Sequence, residues 1–133
     1  MIYYLQKIIK HLLVVKKLLF LVAIIYTIWL AIVSLININN VPSLGSSFDD
    51  KIYHLVAYFA LAILWVTYFK PSQKKHIRLI IFSCLILFGV VLELIQHQLN
   101  PNRTYDSYDL IANCFGVMFG TLIALRLNIY KLN

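Results

Sequence analysis

Residues 18–36 read LLFLVAIIYTIWLAIVSLI, an apolar run in which no side chain carries a formal charge. A helix needs about 20 consecutive, mostly apolar residues to cross the hydrocarbon core of a bilayer. Three further segments, at about 52–69, 79–99 and 110–127, have comparable length and character. The sequence therefore predicts an all-α membrane protein, with four transmembrane helices packed as one bundle domain over residues 18–133.

The composition excludes most classes of soluble protein. The chain of 133 residues is 62% hydrophobic and only 13% charged, whereas a soluble domain usually carries roughly a quarter charged residues. The net charge of +7 could indicate nucleic-acid binding. Because the positive residues flank the apolar segments, we expect no nucleic-acid partner. The sequence has no phosphate-binding glycine loop, no CxxC motif and no Ser-His-Asp order, so we expect no cofactor.

Charged residues are segregated between the two predicted faces of the membrane. Ten of the twelve Lys and Arg precede the first segment, fill the turn between the second and third, or end the fourth. Since Lys and Arg are enriched in cytoplasmic loops, both termini are predicted to lie inside. The opposite face carries Lys51 and Arg103. It also carries all five acidic residues: Asp49, Asp50, Glu93, Asp106 and Asp109.

The first 17 residues allow two interpretations. Ile and Leu residues alternate there with Lys7, Lys10 and Lys17 in a pattern typical of a short amphipathic helix on the inner membrane surface. In that interpretation residues 1–17 form a separate cytoplasmic segment. Alternatively, the same residues simply extend the first transmembrane helix.

The second segment opens with a polar face. Asp50, His54 and Tyr58 are each four residues apart, so they lie on one side of a helix. Asp50 could orient the His54 imidazole for acid–base chemistry near neutral pH. The same spacing equally suits a structural hydrogen bond.

A metal site is not expected from these residues. It would require His54 to meet Glu93 and either Asp109 or His97. Tight zinc sites need three or four convergent ligands. The sequence contains neither an H-x-x-x-H nor an H-E-x-x-H spacing.

Glu93 interrupts the third segment and shares a helix face with Gln96 and His97. An ionisable residue inside a membrane is costly and is by default a candidate functional group. Glu93 is therefore the first candidate for function. The alternative is a structural hydrogen bond from Glu93 to Asn113, His54 or Tyr58.

The fourth segment carries a narrow stripe. Asp109, Asn113, Gly116 and Gly120 follow spacings of four, three and four. A small-x-x-x-small pair lets two membrane helices approach closely. The stripe is thus predicted to face the interior of the bundle, with its polar residues at the outer end.

Arg103 lies in the predicted outer loop close to Asp106 and Asp109. Arginine binds phosphate and carboxylate groups through two parallel hydrogen bonds. Arg103 could bind a phosphate, or it could form a salt bridge within the loop.

Together these motifs resemble the VanZ-like family of small multi-pass bacterial membrane proteins. Three blocks carry the resemblance: Asp50-Lys51-x-x-His54-x-x-x-Tyr58; Glu93-x-x-Gln96; and Arg103 followed by Asp109-x-x-x-Asn113-x-x-Gly116-x-x-x-Gly120. The resemblance implies a protein of the bacterial inner membrane and cell envelope. It also implies an association with low-level resistance to teicoplanin, a lipoglycopeptide antibiotic.

Three functions are consistent with this sequence. The first is a non-enzymatic envelope factor that binds a membrane lipid, a lipid-linked envelope molecule or a lipoglycopeptide. The second is a membrane-embedded enzyme acting on a lipid headgroup, with Glu93 or His54 as general base assisted by Asp109. The third is a structural subunit of a membrane complex. The predicted binding residues are Asp50, Lys51, His54, Tyr58, Glu93, Gln96, Arg103, Asp109 and Asn113.

Overall fold

The structure is a computed structural model that describes residues 2–36, 49–70, 74–99 and 107–127. All regular structure in these ranges is helical. The four helices are α1 (Ile2–Leu35), α2 (Asp49–Phe69), α3 (Lys75–Leu99) and α4 (Ser107–Arg126). Each is long and apolar enough to cross a membrane, which confirms the predicted all-helical architecture.

The N-terminal residues belong to the first long helix, as in the second of the two interpretations of this segment. Residues 2–17 continue without a break into the first apolar segment, so that α1 is a single helix of 34 residues. No glycine or proline occurs between Ile2 and Leu35. Since these are the residues that most readily end a helix, the chain has no local reason to stop at residue 17.

The other helices begin three or four residues before the predicted apolar segments. Asp49 and Asp50 occupy the first turn of α2, and Asp109 lies in the first turn of α4. Carboxylates stabilise the positive end of the helix dipole and accept hydrogen bonds from its free N–H groups. These polar residues therefore lengthen the helices beyond the apolar segments, although they are too polar for the membrane core.

Helices α2 and α4 run parallel and form the centre of the bundle. At one end, His54 of α2 contacts Asn113 of α4. At the other end, the Lys70 amine donates hydrogen bonds to the carbonyl oxygens of Ala124 at 3.2 Å and Leu125 at 2.7 Å. The N-terminal residue of each pair of contacts in α2 meets the N-terminal residue in α4, and the C-terminal residues meet likewise. The two helices therefore point in the same direction.

Close packing between α2 and α4 depends on Gly116 and Gly120. A Cβ atom at Gly116 would lie 3.0 Å from the Phe59 nitrogen, and one at Gly120 would lie 2.8 Å from the Ala62 Cβ. Both glycines are buried. They therefore lie where their spacing predicts, on the face of α4 that packs against a neighbouring helix.

Helix α1 is joined to α2 by polar contacts in the middle of the bundle. The Tyr26 hydroxyl donates to the Ala57 carbonyl oxygen at 3.0 Å. The Trp65 indole donates to the Thr27 hydroxyl at 3.0 Å. Earlier in α1, Phe20 packs against the Trp65 ring. The part of α1 before Tyr26 therefore lies beside the C-terminal part of α2, so the two helices are antiparallel.

Candidate functional site

One end of the bundle collects polar side chains from three helices. It is formed by the C-terminal ends of α1 and α3 and the N-terminal ends of α2 and α4. The Gln96 amide of α3 donates a hydrogen bond to the Ser34 carbonyl oxygen of α1, which joins the two outer helices there. We call the following set the polar cluster: Asp50, Lys51, His54, Glu93, Gln96, Asp109 and Asn113.

Four members of the polar cluster are almost completely buried. The exposed fraction is 4% for Glu93, 3% for Gln96, 1% for Asp109 and 2% for Asn113. Burying a polar group is unfavourable unless hydrogen bonds replace those it made to water, and burying a charge requires a partner as well. Burial of these four side chains is therefore unfavourable unless hydrogen bonds and opposite charges within the protein compensate for the lost water.

Lys51 and Asp109 form a salt bridge between α2 and α4. The Lys51 Nζ lies 3.3 Å from the Asp109 Oδ1, with side-chain exposures of 26% and 2%. The carboxylate is thus fully desolvated while the amine still reaches solvent. Because a buried carboxylate without a cation is strongly unfavourable, Lys51 stabilises Asp109 in the interior.

His54 is held between a buried amide and an exposed carboxylate. Its Nδ1 lies 3.1 Å from the Asn113 Oδ1, and its Nε2 lies 3.8 Å from the Asp50 Oδ1. An amide oxygen can only accept, so Nδ1 carries the hydrogen, and neutral imidazole then has its lone pair on Nε2. The second distance is too long for a hydrogen bond. A neutral His54 therefore presents an acceptor at Nε2.

Glu93 of α3 and Tyr58 of α2 are both buried, with exposed fractions of 4% and 2%. Tyr58 shares its helix face with His54, as the spacing of four residues predicts. The hydrogen bond between His54 and Asn113 brings the second and fourth predicted segments together at this end of the bundle.

Gln96 carries an acceptor that the surrounding protein leaves unused. Its amide nitrogen donates to Ser34, but its Oε1 is buried and has no hydrogen-bond partner within the described parts of the chain. Leaving a buried acceptor unsatisfied costs about 1–3 kcal/mol. A ligand that offers a hydroxyl or amine at this point would remove that cost.

Three residues considered from the sequence are not placed in the polar cluster. Arg103 and Asp106 lie outside the described residues. His97, considered as a metal ligand, is exposed in the last turn of α3.

Sequence reasoning missed two contributions to the site. A Cβ atom at Gly89 would lie 3.0 Å from the Tyr58 Cε1 and 3.4 Å from the Asn113 Nδ2, so Gly89 provides space for both side chains. Gly89 precedes Glu93 by four residues and therefore shares its face, which was an available signal. The Ser34 carbonyl of α1 had no comparable signal, because a backbone acceptor can occur at any residue.

The structure also groups three side chains of types that can bind a metal, in a combination that the sequence did not suggest. One ligand atom each from Asp50, His54 and Asp109 lies within 4.8 Å of the others. Asp50 and His54 come from one helix, and Asp109 from its parallel neighbour. The expectation of no metal site considered a different set of ligands, namely His54 with Glu93 and either Asp109 or His97.

Comparison with known proteins identifies no family for this chain. Neither a protein-family model nor a solved structure matches it. An uncharacterized protein of the fission yeast Schizosaccharomyces pombe is 32% identical over 88 residues, which cover 66% of this chain and 51% of that protein. The match thus spans about half the length of that relative. A eukaryotic relative without a described function lends no support to a bacterial origin or to the VanZ-like family, and both stay predictions.

Proposed function

We propose that this chain is a multi-pass membrane protein that binds the headgroup of a lipid, or of a lipid-linked envelope molecule, at the polar cluster. The observation that carries the proposal is the burial of Glu93, Gln96, Asp109 and Asn113 at one end of a bundle with an apolar exterior. Ionisable groups within membrane helices are usually paired or functional. A lipid is suited to such a site, because its headgroup and its acyl chains match the polar and apolar surfaces respectively.

The exposed apolar side chains support insertion of all four helices into a bilayer. Large hydrophobic residues are exposed along each helix, for example Ile28, Val56, Leu87 and Leu122. A soluble protein rarely exposes apolar surface so continuously. In a bilayer the same side chains contact lipid, and the backbone polar groups are satisfied within each helix.

The charge distribution supports an orientation with both termini in the cytoplasm. Lys70, Lys74, Lys75 and Arg78 lie between or near the ends of α2 and α3 that are opposite to the polar cluster, and such residues concentrate on the cytoplasmic side. The polar cluster then opens on the outer side. Alkaline phosphatase fused after Arg126 should be inactive in a bacterial host, and fused after Ile36 it should be active. The reverse pattern would contradict this orientation.

The chemistry of the cluster favours a headgroup with both anionic and hydroxyl groups. The Lys51 amine is partly exposed and could share a phosphate oxygen while remaining close to Asp109. The unused Gln96 Oε1 would accept a hydrogen bond from a headgroup hydroxyl. Arg103, which the sequence predicts on the same side of the membrane, would supply a second cation for the phosphate.

Binding can be tested with phosphatidylglycerol, whose headgroup combines a phosphate with hydroxyls. Native mass spectrometry of the purified chain should show more bound phosphatidylglycerol than phosphatidylcholine. Arg103→Ala should reduce this binding by about tenfold or more, since a hydrogen bond to a charged group is worth about 1.5–3 kcal/mol. The matched control is Arg78→Ala, which removes an exposed arginine at the opposite end.

Equal retention of the two lipids by the wild type, or equal binding by both arginine variants, would overturn the proposal. The narrower VanZ-like interpretation can be tested with the same variants in a sensitive Gram-positive host. It expects protection against teicoplanin but not vancomycin, lost in Arg103→Ala and kept in Arg78→Ala. If the wild-type protein is well expressed and gives no protection against teicoplanin, the VanZ-like interpretation is wrong. The lipid-binding proposal is then decided by the mass-spectrometry experiment alone.

A catalytic role is the second candidate, favoured by the His54 Nε2 lone pair beside Asp50 and Asp109. In this alternative His54 or Glu93 takes a proton from a headgroup hydroxyl or from water. If Glu93 is the base, Glu93→Gln should abolish turnover of a lipid substrate while lipid binding persists. Turnover by Glu93→Gln at the wild-type rate would exclude Glu93 as the base.

A further inference from the structure

The structure assigns a divalent metal site to Asp50, His54 and Asp109. One ligand atom from each side chain lies within 4.8 Å of the other two. Two ligands bound to the same ion at about 2.0–2.2 Å lie about 3–4 Å apart. Small side-chain rotations would therefore bring the three ligand atoms close enough to bind one cation.

The hydrogen bond between His54 and Asn113 prepares the imidazole to bind a metal. Metal-binding histidines generally donate their second ring N–H to a carbonyl or carboxylate, which fixes the ring and its tautomer. The Asn113 Oδ1, 3.1 Å from Nδ1, has this role here. The other ring nitrogen, Nε2, lies 3.8 Å from the Asp50 Oδ1 and can bind a cation when the imidazole is neutral. Two acceptors at this separation are placed to share a cation.

The three side chains also provide a path of entry. Asp50 is exposed, His54 is partly buried and Asp109 is fully buried. A cation can therefore lose its water in steps as it passes from the exposed carboxylate to the buried one. Three protein ligands leave further coordination positions open, as in metal sites that bind water or substrate.

Lys51 is the competitor for this site. Its Nζ lies 3.3 Å from the Asp109 Oδ1, where it supplies the positive charge that a bound cation would otherwise supply. The Lys51 side chain is long, flexible and partly exposed, so its amine can move into solvent when a cation binds. Removal of this amine should therefore increase the affinity for metal, whereas removal of any of the three ligands should decrease it.

One imidazole and two carboxylates define the class of metal. Imidazole favours transition metals such as Zn²⁺ and Fe²⁺, while carboxylates also suit Mn²⁺. The mixed set favours a first-row divalent ion over Mg²⁺ or Ca²⁺, which prefer oxygen ligands alone. If the proposed function holds, an open position of this ion would bind the phosphate of the lipid headgroup. The metal site itself does not depend on that step.

Mn²⁺ binding to the full chain tests the assignment. The chain is purified in detergent without added lipid, treated with a chelator, and titrated with Mn²⁺ while the electron paramagnetic resonance signal of free Mn²⁺ is followed. One Mn²⁺ per chain should bind, with ¹⁴N coupling from His54 in the pulsed spectrum. Asp50→Asn and His54→Gln should each weaken binding by about tenfold or more, and Asn113→Leu by about 10–100-fold.

Two further variants make the test specific. Asp49→Asn removes a neighbouring carboxylate outside the three-residue set and should leave Mn²⁺ affinity unchanged. Lys51→Met should bind Mn²⁺ more tightly than the wild type. Circular dichroism and size-exclusion chromatography identify any variant that fails to fold, and the exposed Asp50 provides a variant with little structural risk.

Two results would overturn the assignment: no saturable Mn²⁺ binding to folded wild-type protein, or binding that survives unchanged in Asp50→Asn and His54→Gln without ¹⁴N coupling. Because no lipid is present, these results are independent of the lipid-binding experiment. A chain that binds Mn²⁺ but no phosphatidylglycerol would retain the metal site and lose the proposed function.

Discussion

Gly116→Leu should prevent the bundle from assembling. A Cβ atom at this position would lie 3.0 Å from the Phe59 nitrogen and 3.1 Å from the Tyr58 Cβ, and it would also clash with the Leu55 carbonyl oxygen. These atoms belong to the backbone of α2 or are fixed to it, so no side-chain rotation relieves the contact. Overpacking a core usually costs about 1–3 kcal/mol and occasionally more. With backbone on both sides, we expect the upper end of that range or beyond.

Fluorescence-detected size-exclusion chromatography of a tagged protein measures this effect directly. Gly116→Leu should lose most of the monodisperse peak or melt at a much lower temperature than the wild type. The matched control is Met118→Leu, which places the same side chain two residues further along α4, where the residue is exposed. A Gly116→Leu protein as stable as this control would show that α2 and α4 do not pack through the glycines.

Lys51→Met should be the second most damaging change in the absence of metal. It leaves the Asp109 carboxylate, with 2% side-chain exposure, without the amine that lies 3.3 Å away. Removing one partner of a buried ion pair costs about 3–5 kcal/mol. Because Lys51 itself reaches solvent, we expect about 3 kcal/mol, the lower end of the range. Unfolding by sodium dodecyl sulfate, followed by circular dichroism, measures the loss.

The double variant Lys51→Met/Asp109→Asn identifies the cause. It removes both charges together, so it should recover most of the stability that Lys51→Met loses. Lys74→Met serves as the control, since it removes an exposed lysine at the opposite end of the bundle. If the double variant is no more stable than the single one, the loss comes from side-chain packing. In the presence of Mn²⁺ the single variant should regain stability, because the cation replaces the missing charge beside Asp109.

The sequence was sufficient to predict features that depend on one helix at a time. The number of helices follows from apolar length, and the inward stripe of α4 follows from spacing, since both depend on the geometry of a single helix. The stripe places Asp109 and Asn113 inside, where the structure has them. The lipid-facing environment and the function of the site stay predictions.

Contacts between helices were harder to predict. Whether Asp109 meets Glu93 or Asp50 depends on how closely and at what angle two helices cross, and neither quantity appears in the residue spacing of one helix. The metal set considered from sequence therefore contained Glu93 where the structure has Asp50. The sequence left open whether residues 1–17 form a separate segment or extend the first helix, because a change in composition at residue 17 does not by itself end a helix.

The contacts at both ends of α2 and α4 limit how this protein can move. Sliding one helix along the other by a single turn, about 5.4 Å, would separate Lys51 from Asp109 at one end and Lys70 from the Ala124 carbonyl at the other. The two helices therefore behave as one rigid pair. Any movement that widens the polar cluster has to displace α1 or α3, while α2 and α4 stay fixed against each other.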